Sequence, residues 1–288
     1  MELLDGKMVA KHLKSDLRQE IESYLAQKFR APHIAIVLVG NNEASEIYVR
    51  NKVKACELIK MDSTVFRFPS TISSEELLDE IDKLNDDESI DGIIVQLPLP
   101  KHLDEASIID KVKATKDVDG FSTLNKGRMF TGLDAFLPAT PSGIIKLLEY
   151  YKLDLTGMNA VVVGRSNIVG KPMAILLLNK NATVTICHSR TKDLKEITKN
   201  ADLIVMAIGK ARFLKEDMVK AGAIIVDVGM NRDENGLCGD VDFANVAPKA
   251  SYITPVPGGV GPLTIAMLLA NTLSAYKATY LKAQGVEK

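Results

Sequence analysis

The chain has 288 residues, 46% of them hydrophobic and 25% charged, with a formal net charge of -1. That length suits two α/β domains better than one core, and the balance excludes a largely disordered chain. With no basic run, nucleic acid and anionic membrane surfaces are poor partners, and no apolar run is long enough to span a bilayer.

Cys56, Cys187 and Cys238 are odd in number and widely spaced. They suggest small buried residues in a reducing compartment rather than disulfides. The histidines are scattered, so no metal site is expected. The N-terminus lacks the apolar core of a signal peptide and the acid-poor composition of a transit peptide, which makes the cytoplasm the expected location.

In chain order, Val9, Leu13, Leu17, Ile21 and Leu25 write one apolar stripe on a long first helix. HIAIVLVG (33–40) reads as a buried strand, followed by a helix over about 45–60 and a short strand at 63–68. A helix over 74–86 and a strand closed by prolines, GIIVQLPLP (92–100), complete this half. Strands alternating with helices predict a parallel sheet covered on both faces. Between about 116 and 141 the pattern breaks into a segment rich in Gly, Pro, Asp and Thr, read as a domain connection.

The alternation restarts with NAVVVG (159–164), TVTICHS (183–189), LIVMAIG (203–209) and AIIVDVG (223–229). Asn235–Gly236 predicts a β-hairpin, because both residues tolerate positive φ. From Pro262, at a first-turn position, a long last helix is expected. The fold class is therefore α/β in two domains, 1–140 and 141–288, the second of Rossmann type, with the last helix free to pack back on the first.

AVVVGRSNIVGKP (160–172) is strand, glycine turn and helix start. In a Rossmann fold that turn presents backbone N–H groups to a pyrophosphate. It is not a clean GxGxxG, since Ser166 and Val169 stand where further glycines would be. The end of the next strand says more. An NAD-selective site places a carboxylate there for the ribose hydroxyls, whereas this chain gives His188-Ser189-Arg190-Thr191, with no acid before Asp193. Hydroxyls and a guanidinium suit a ribose phosphate, and Arg165 is close in sequence to the same turn, so NADP is the expected cofactor.

In the first half, Ser45, Tyr48 and Lys52 share one helix face. Gln96 ends a strand at the carboxyl edge of the sheet, where open α/β sheets bind ligands. KDVDGF (116–121) carries two carboxylates, and PVPGGVGPLT (255–264) has backbone freedom directly before a helix. Taken singly, each fragment has an ordinary structural reading: a solvated helix face, turn-forming aspartates, a loop.

Taken together, EASEIYVRNKVKA, VQLPLP, KDVDGF, PATPSG, VVVGRSNIVGKP, CHSRT, GDVDF and ITPVPGGVGPLT closely resemble the methylenetetrahydrofolate dehydrogenase/cyclohydrolase family. The resemblance runs from LDGK (4–7) to the last helix, with no room for the formyltetrahydrofolate ligase domain of some relatives. It implies oxidation of methylenetetrahydrofolate with NADP, hydrolysis of the methenyl product, a folate cleft between the domains and a homodimer. By this resemblance Lys52 is the catalytic lysine, Tyr48 packs on the folate, Gln96 hydrogen-bonds Lys52 and Asp119 anchors the pterin. Val95, Leu97 and the stretch Pro257, Gly258, Gly259, Val260, Gly261 and Pro262 line the folate side. Gly164, Arg165, Ser166, Ser189, Arg190 and Met230 hold NADP.

Three departures from the family pattern stand out. Lys60-Met61 replaces a usual Gly-Ile, Ala139 a frequent Cys, and Leu263 a usual Met.

The chemistry suits these residues. Hydride loss from the methylene bridge leaves a stabilised cation and needs alignment rather than proton transfer. Hydrolysis instead needs a group that exchanges protons near neutrality, and a lysine held against a cationic, apolar ligand is fitting. Two other readings compete: an NADP dehydrogenase for a shikimate-like hydroxy acid, and a nucleotide-sensing Rossmann module that binds without turnover.

Overall fold

A computed structural model describes residues 1–234 and 236–286. Its strands are β1 (Glu2–Leu3), β2 (His33–Val39), β3 (Asp62–Phe68), β4 (Gly92–Val95), β5 (Asn159–Val163), β6 (Thr183–Cys187), β7 (Leu203–Met206), β8 (Ile224–Asp227), β9 (Asn231–Asp233), β10 (Gly236–Cys238) and β11 (Tyr252–Ile253). The helices are α1 (Gly6–Ala26), α2 (Glu43–Leu58), α3 (Ser74–Asp86), α4 (Glu105–Lys111), α5 (Thr123–Phe130), α6 (Ala139–Tyr150), α7 (Gly170–Asn179), α8 (Leu194–Lys199), α9 (Phe243–Val246) and α10 (Val260–Tyr276). A π-helical turn, Lys277–Leu281, follows α10.

The chain forms two compact units, one of residues 12–139 and 265–288, the other of 1–11 and 140–264. The boundary near 140 lies where the sequence pattern breaks. The N-terminal segment, however, groups with the second half: β1 pairs in parallel with β11, Glu2 opposite Tyr252 and Leu3 opposite Ile253. Two-residue strands leave no periodic signal, so this pairing is invisible in the sequence. The last helix is shared, its part beyond residue 264 belonging to the first unit.

In the first unit β3, β2 and β4 form a parallel sheet in that order. Ile34, Ile36, Leu38 and Ile94 pack with Leu268, Leu269, Leu273 and Tyr276, while Ala35, Val37, Ile93 and Val95 pack with Leu77, Ile81 and Ile108. Strands buried on both faces read as continuous apolar runs, as HIAIVLV does. Two helices, α4 and α5, lie in or beside the stretch read as connection. Their caps, Asp104 and Ser122, are residue types that also signal turns.

At the sheet's amino edge, Asp91 is 2% exposed and takes both Arg30 guanidinium nitrogens, at 2.7 and 2.8 Å, and the His33 N–H. Arg30 in turn lies 4.2 Å from the Tyr280 ring centroid and 5.2 Å from that of Tyr276. Removing one partner strands the other charge in a poorly solvated place. Asp91→Ala is therefore expected to cost about 3–5 kcal/mol of unfolding free energy. Urea denaturation measures this, and a loss below about 1 kcal/mol would contradict the account.

Lys60 shows what one departure from the family pattern does. It sits at φ 60°, in the left-handed region where Gly is favoured, with Met61 N–H returning to the Cys56 carbonyl as in a Schellman close. A lysine there carries about 1 kcal/mol of strain, and its ammonium makes a 3.0 Å ion pair with Glu22. Met61 fills the core at 3% exposure. This substitution alters a helix end and core packing. Ala139 and Leu263, 2% and 0% exposed, are likewise core residues.

The second unit carries a six-stranded sheet in the order β1-β11-β8-β7-β5-β6, with every pairing parallel. The chain leaves β5 to one side for β6 and returns on the other for β7. That places a topological switch point at the carboxyl ends of β5 and β7, the usual dinucleotide position in such sheets. The β9–β10 hairpin forms as expected, with Gly236 at φ 109°. Asn235, half of that turn signal, lies outside the described residues.

Candidate active site

In the first unit, α2 begins at an Asn42 cap, whose side chain accepts the Ser45 N–H at 3.0 Å. Ser45, Tyr48 and Lys52 follow at helical spacing. Ser45 is 2% exposed, and its hydroxyl has no hydrogen-bond partner among the described residues. Tyr48 is 41% exposed, so much of its ring is available to a ligand.

Lys52 is half-buried, and its Nζ donates to Gln96 Oε1 at 3.1 Å. Gln96 Nε2 donates to the Leu97 carbonyl at 2.8 Å, which fixes the amide with its oxygen toward the lysine. Gln96 itself is held just past the end of β4 by its N–H to the Val37 carbonyl. The peptide after Leu97 is cis. Val95 and Leu97 behave differently from these polar neighbours: Val95 is core, and Leu97 packs on the same cluster.

Asp119 follows Asp117 in a loop that runs beside β4, Ile93 N–H bonding the Lys116 carbonyl. Asp117 is 3% exposed and accepts from Phe121 N–H, Ser122 N–H and Asn125 Nδ2. It is the structural carboxylate of the pair. Among the described residues, no backbone N–H or side-chain amide donates to Asp119 in this way. Burial pushes its pKa up to about 6, Asp117 adds to the rise, and the Lys52 ammonium opposes it. Lys52, Gln96 and Asp119 thus form one electrostatic group, a carboxyl group with its pKa raised to about 6 in the field of the Lys52 ammonium.

In the second unit, Gly164 directly follows β5 at φ 139°, and a side chain there would overlap the Ala207 carbonyl. Only glycine brings the turn this close to the end of β7. The first turn of α7 differs from the sequence expectation. Ser166 Oγ already accepts the N–H groups of Val169 and Gly170, at 3.1 and 3.2 Å, and its carbonyl accepts that of Lys171. These amides are therefore not free for a pyrophosphate, whereas the Ser166 hydroxyl keeps its proton to donate.

Arg165, Ser166, Ser189 and Arg190 are all exposed. Past β6, His188 N–H bonds Thr191 Oγ1 and Arg190 N–H bonds His188 Nδ1, closing a tight turn without a carboxylate. A glycine cradle at the switch point with two arginines and two hydroxyls fits a dinucleotide bearing a ribose phosphate.

Met230, 53% exposed, comes next to Gly261, its Cε 3.7 Å from where a Gly261 Cβ would stand. Pro257, Gly258, Gly259, Val260, Gly261 and Pro262 lie in this second unit, at the start of α10. Their loop is held by the N-terminal segment: Lys7 N–H bonds the Gly258 carbonyl at 2.8 Å, and a side chain at Gly6 would overlap the Gly259 carbonyl. That support is absent from the sequence reading, although the LDGK block was its signal. Among the described residues there is no cluster of ligating groups for a metal, and no helix is long and apolar enough to cross a membrane.

The fold and these two constellations define a two-part α/β protein with a dinucleotide-type sheet and a lysine–amide–carboxylate group. Residues 4–119 match the catalytic-domain model of the tetrahydrofolate dehydrogenase/cyclohydrolase family, and residues 138–280 its NAD(P)-binding-domain model. A curated bifunctional protein FolD from Campylobacter hominis is 54% identical over 278 residues, 96% of this chain and 98% of that protein.

The crystal structure of the bifunctional FolD dehydrogenase/cyclohydrolase from Campylobacter jejuni is 50% identical. It superposes with a TM-score of 0.95 over 96% of this chain and 99% of that one. The Trypanosoma brucei dehydrogenase–cyclohydrolase, solved with NADP and an inhibitor, is 36% identical with a TM-score of 0.91, covering 96% of this chain and 97% of that one. The chain belongs to the tetrahydrofolate dehydrogenase/cyclohydrolase family.

Proposed function

We propose that the chain oxidises 5,10-methylenetetrahydrofolate with NADP to the 5,10-methenyl cation and hydrolyses that product to 10-formyltetrahydrofolate. The observation that carries this reading is the Lys52 Nζ held 3.1 Å from Gln96 Oε1, with Asp119 coupled to the same ammonium. NADP, when bound, accepts the hydride, and no proton has to move in that step. The chain's task there is alignment: Tyr48 lies on the folate rings and Asp119 receives the donor edge of the pterin.

In the hydrolysis, water attacks the bridging carbon of the cation and forms the C–O bond. Lys52 takes the proton that water loses. It returns that proton to the ring nitrogen as the carbon–nitrogen bond breaks, and the remaining hydroxyl proton leaves to solvent as the C=O bond forms, with the formyl group on the other nitrogen. The net change is one water consumed and one proton released. Gln96 directs the lysine by accepting one of its N–H bonds.

Arg165, Ser166, Ser189 and Arg190 hold the NADP phosphates, with Gly164 supplying close backbone approach and Met230 touching the cofactor. Val95 and Leu97 shape the folate side through backbone and packing, and Pro257 to Pro262 contribute their loop. A homodimer in the cytoplasm, with Cys56, Cys187 and Cys238 as free thiols, completes the proposal. A hydroxy-acid dehydrogenase also has a proton to move and would make use of such a lysine, so the matches of both halves of the chain to the folate-enzyme family favour the present reading over it; a sensing module would need none of this chemistry.

Cofactor choice follows from the missing acid after β6. The specificity constant for NADP is expected to exceed that for NAD by on the order of 10²-fold, the worth of one or two charge-assisted bonds to a phosphate. Steady-state dehydrogenase assays with each cofactor decide the point. An equal or better constant for NAD would refute it.

A further inference from the structure

Asp240, in the GDVD stretch after the hairpin, is fully buried. Its carboxylate accepts three consecutive backbone N–H groups, Ile208 at 2.7 Å, Gly209 at 3.0 Å and Lys210 at 2.8 Å, and the Asn231 side-chain amide at 2.9 Å. None of these donors belongs to the helices or central strands that form the core. The backbone donors come from the loop after β7, and Asn231 stands at the start of β9, after β8. Both segments lie at the carboxyl edge of the sheet.

A second carboxylate continues the tie. Asp227, at the end of β8, accepts Gly229, Asp240 and Val241 N–H groups, each at 2.9 Å. The two glycines make this approach possible: a side chain at Gly229 would overlap the Asp240 carboxylate, and one at Gly239 that of Asp227. Met230 is thereby pinned on both sides, through the Gly229 N–H and the Asn231 side chain. The β7 loop starts at Ala207, whose carbonyl abuts Gly164 at the switch point.

We propose that Asp240 is a positioning residue for the dinucleotide, a buried carboxylate that holds the β7 loop and the Met230 loop in the geometry the cofactor meets. This rests on the reading that NADP binds at this edge. A carboxyl group suits the task because its two oxygens face four donors at once. An asparagine of the same shape would turn an N–H₂ toward N–H groups and release at least two of them.

The two activities of the full-length protein supply the control, because hydrolysis of supplied methenyltetrahydrofolate uses no dinucleotide. For Asp240→Asn, the Kd for NADP by titration calorimetry and the dehydrogenase KM for NADP are expected to rise by about tenfold or more. Hydrolysis without dinucleotide is expected to stay within about twofold. A matching fall in both activities, or an unchanged Kd, overturns the proposal.

Should the variant fail to fold, Asn231→Ala decides on the same criterion. It removes one bond, so about a threefold rise in Kd at unchanged hydrolysis supports the clamp, and an unchanged Kd overturns it. If the wild-type protein binds no NADP, the cofactor reading itself fails. That result is distinct from a clamp that fails in a protein that binds it.

Discussion

Lys52→Met is expected to lower hydrolysis of methenyltetrahydrofolate by a factor on the order of 10²–10⁴, the usual range for losing a general acid–base group. Methionine keeps the length and bulk but removes the ionisable nitrogen and its bond to Gln96. Dehydrogenase turnover should fall much less, because hydride loss releases no proton and the lysine there only helps alignment. Methenyl intermediate should therefore accumulate while NADPH appears. Equal losses would make Lys52 a positioning residue, and no loss would make it a solvated surface lysine. The substitution should also act on Asp119. The Lys52 ammonium lowers that carboxyl's pKa, so its removal should carry the value further above about 6.

Asp119→Ala should behave in the opposite way, depressing both reactions together. The folate is common to both steps, and a lost hydrogen bond from a charged group is worth about 1.5–3 kcal/mol, or roughly 10–10²-fold in kcat/KM. The raised pKa gives a second signature. The ionised carboxylate is the stronger acceptor for the pterin's donors, and it persists above about pH 6, so kcat/KM of both activities should fall as pH drops through that value. An unshifted carboxyl would hold its activity to about pH 4. Asp119→Asn should flatten the acid limb at a lower plateau. An acid limb that survives in that variant would assign it to another group.

The parts of the site legible in the sequence are those written into a regular element. Tyr48 and Lys52 are four residues apart on α2, and Gln96 directly follows a buried apolar run, so their places followed from helical and strand periodicity. The alternating βα rhythm likewise gave both parallel sheets. Asp119 is different: nothing local separates it from Asp117, and only the family resemblance marked it. The structure shows the physical distinction, since Asp117 spends its acceptors on Phe121, Ser122 and Asn125 whereas burial and charge act on Asp119.

Long-range support was the least legible. The pairing of Glu2 and Leu3 with Tyr252 and Ile253, and the grip of Gly6 and Lys7 on the Gly258–Gly259 loop, join residues some 250 positions apart through very short segments. Ser166 read as a cofactor-holding residue, yet its hydroxyl already accepts the Val169 and Gly170 N–H groups at the start of α7. Asp240 stood in the sequence only as part of the GDVDF block of the family resemblance. Its signal was the glycine beside it and the one at 229, both placed where a carboxylate needs room.

The central claim is that one chain performs both steps in sequence, and a single time course tests it. Purified protein is given methylenetetrahydrofolate and NADP, and substrate, methenyl intermediate, 10-formyl product and NADPH are followed together. NADPH and total oxidised folate should rise in equal amounts, with the methenyl species staying low as the formyl product forms faster than in an enzyme-free control. Formation of NADPH with methenyl species decaying only at the uncatalysed rate would leave a dehydrogenase alone, and no NADPH at all would contradict the account.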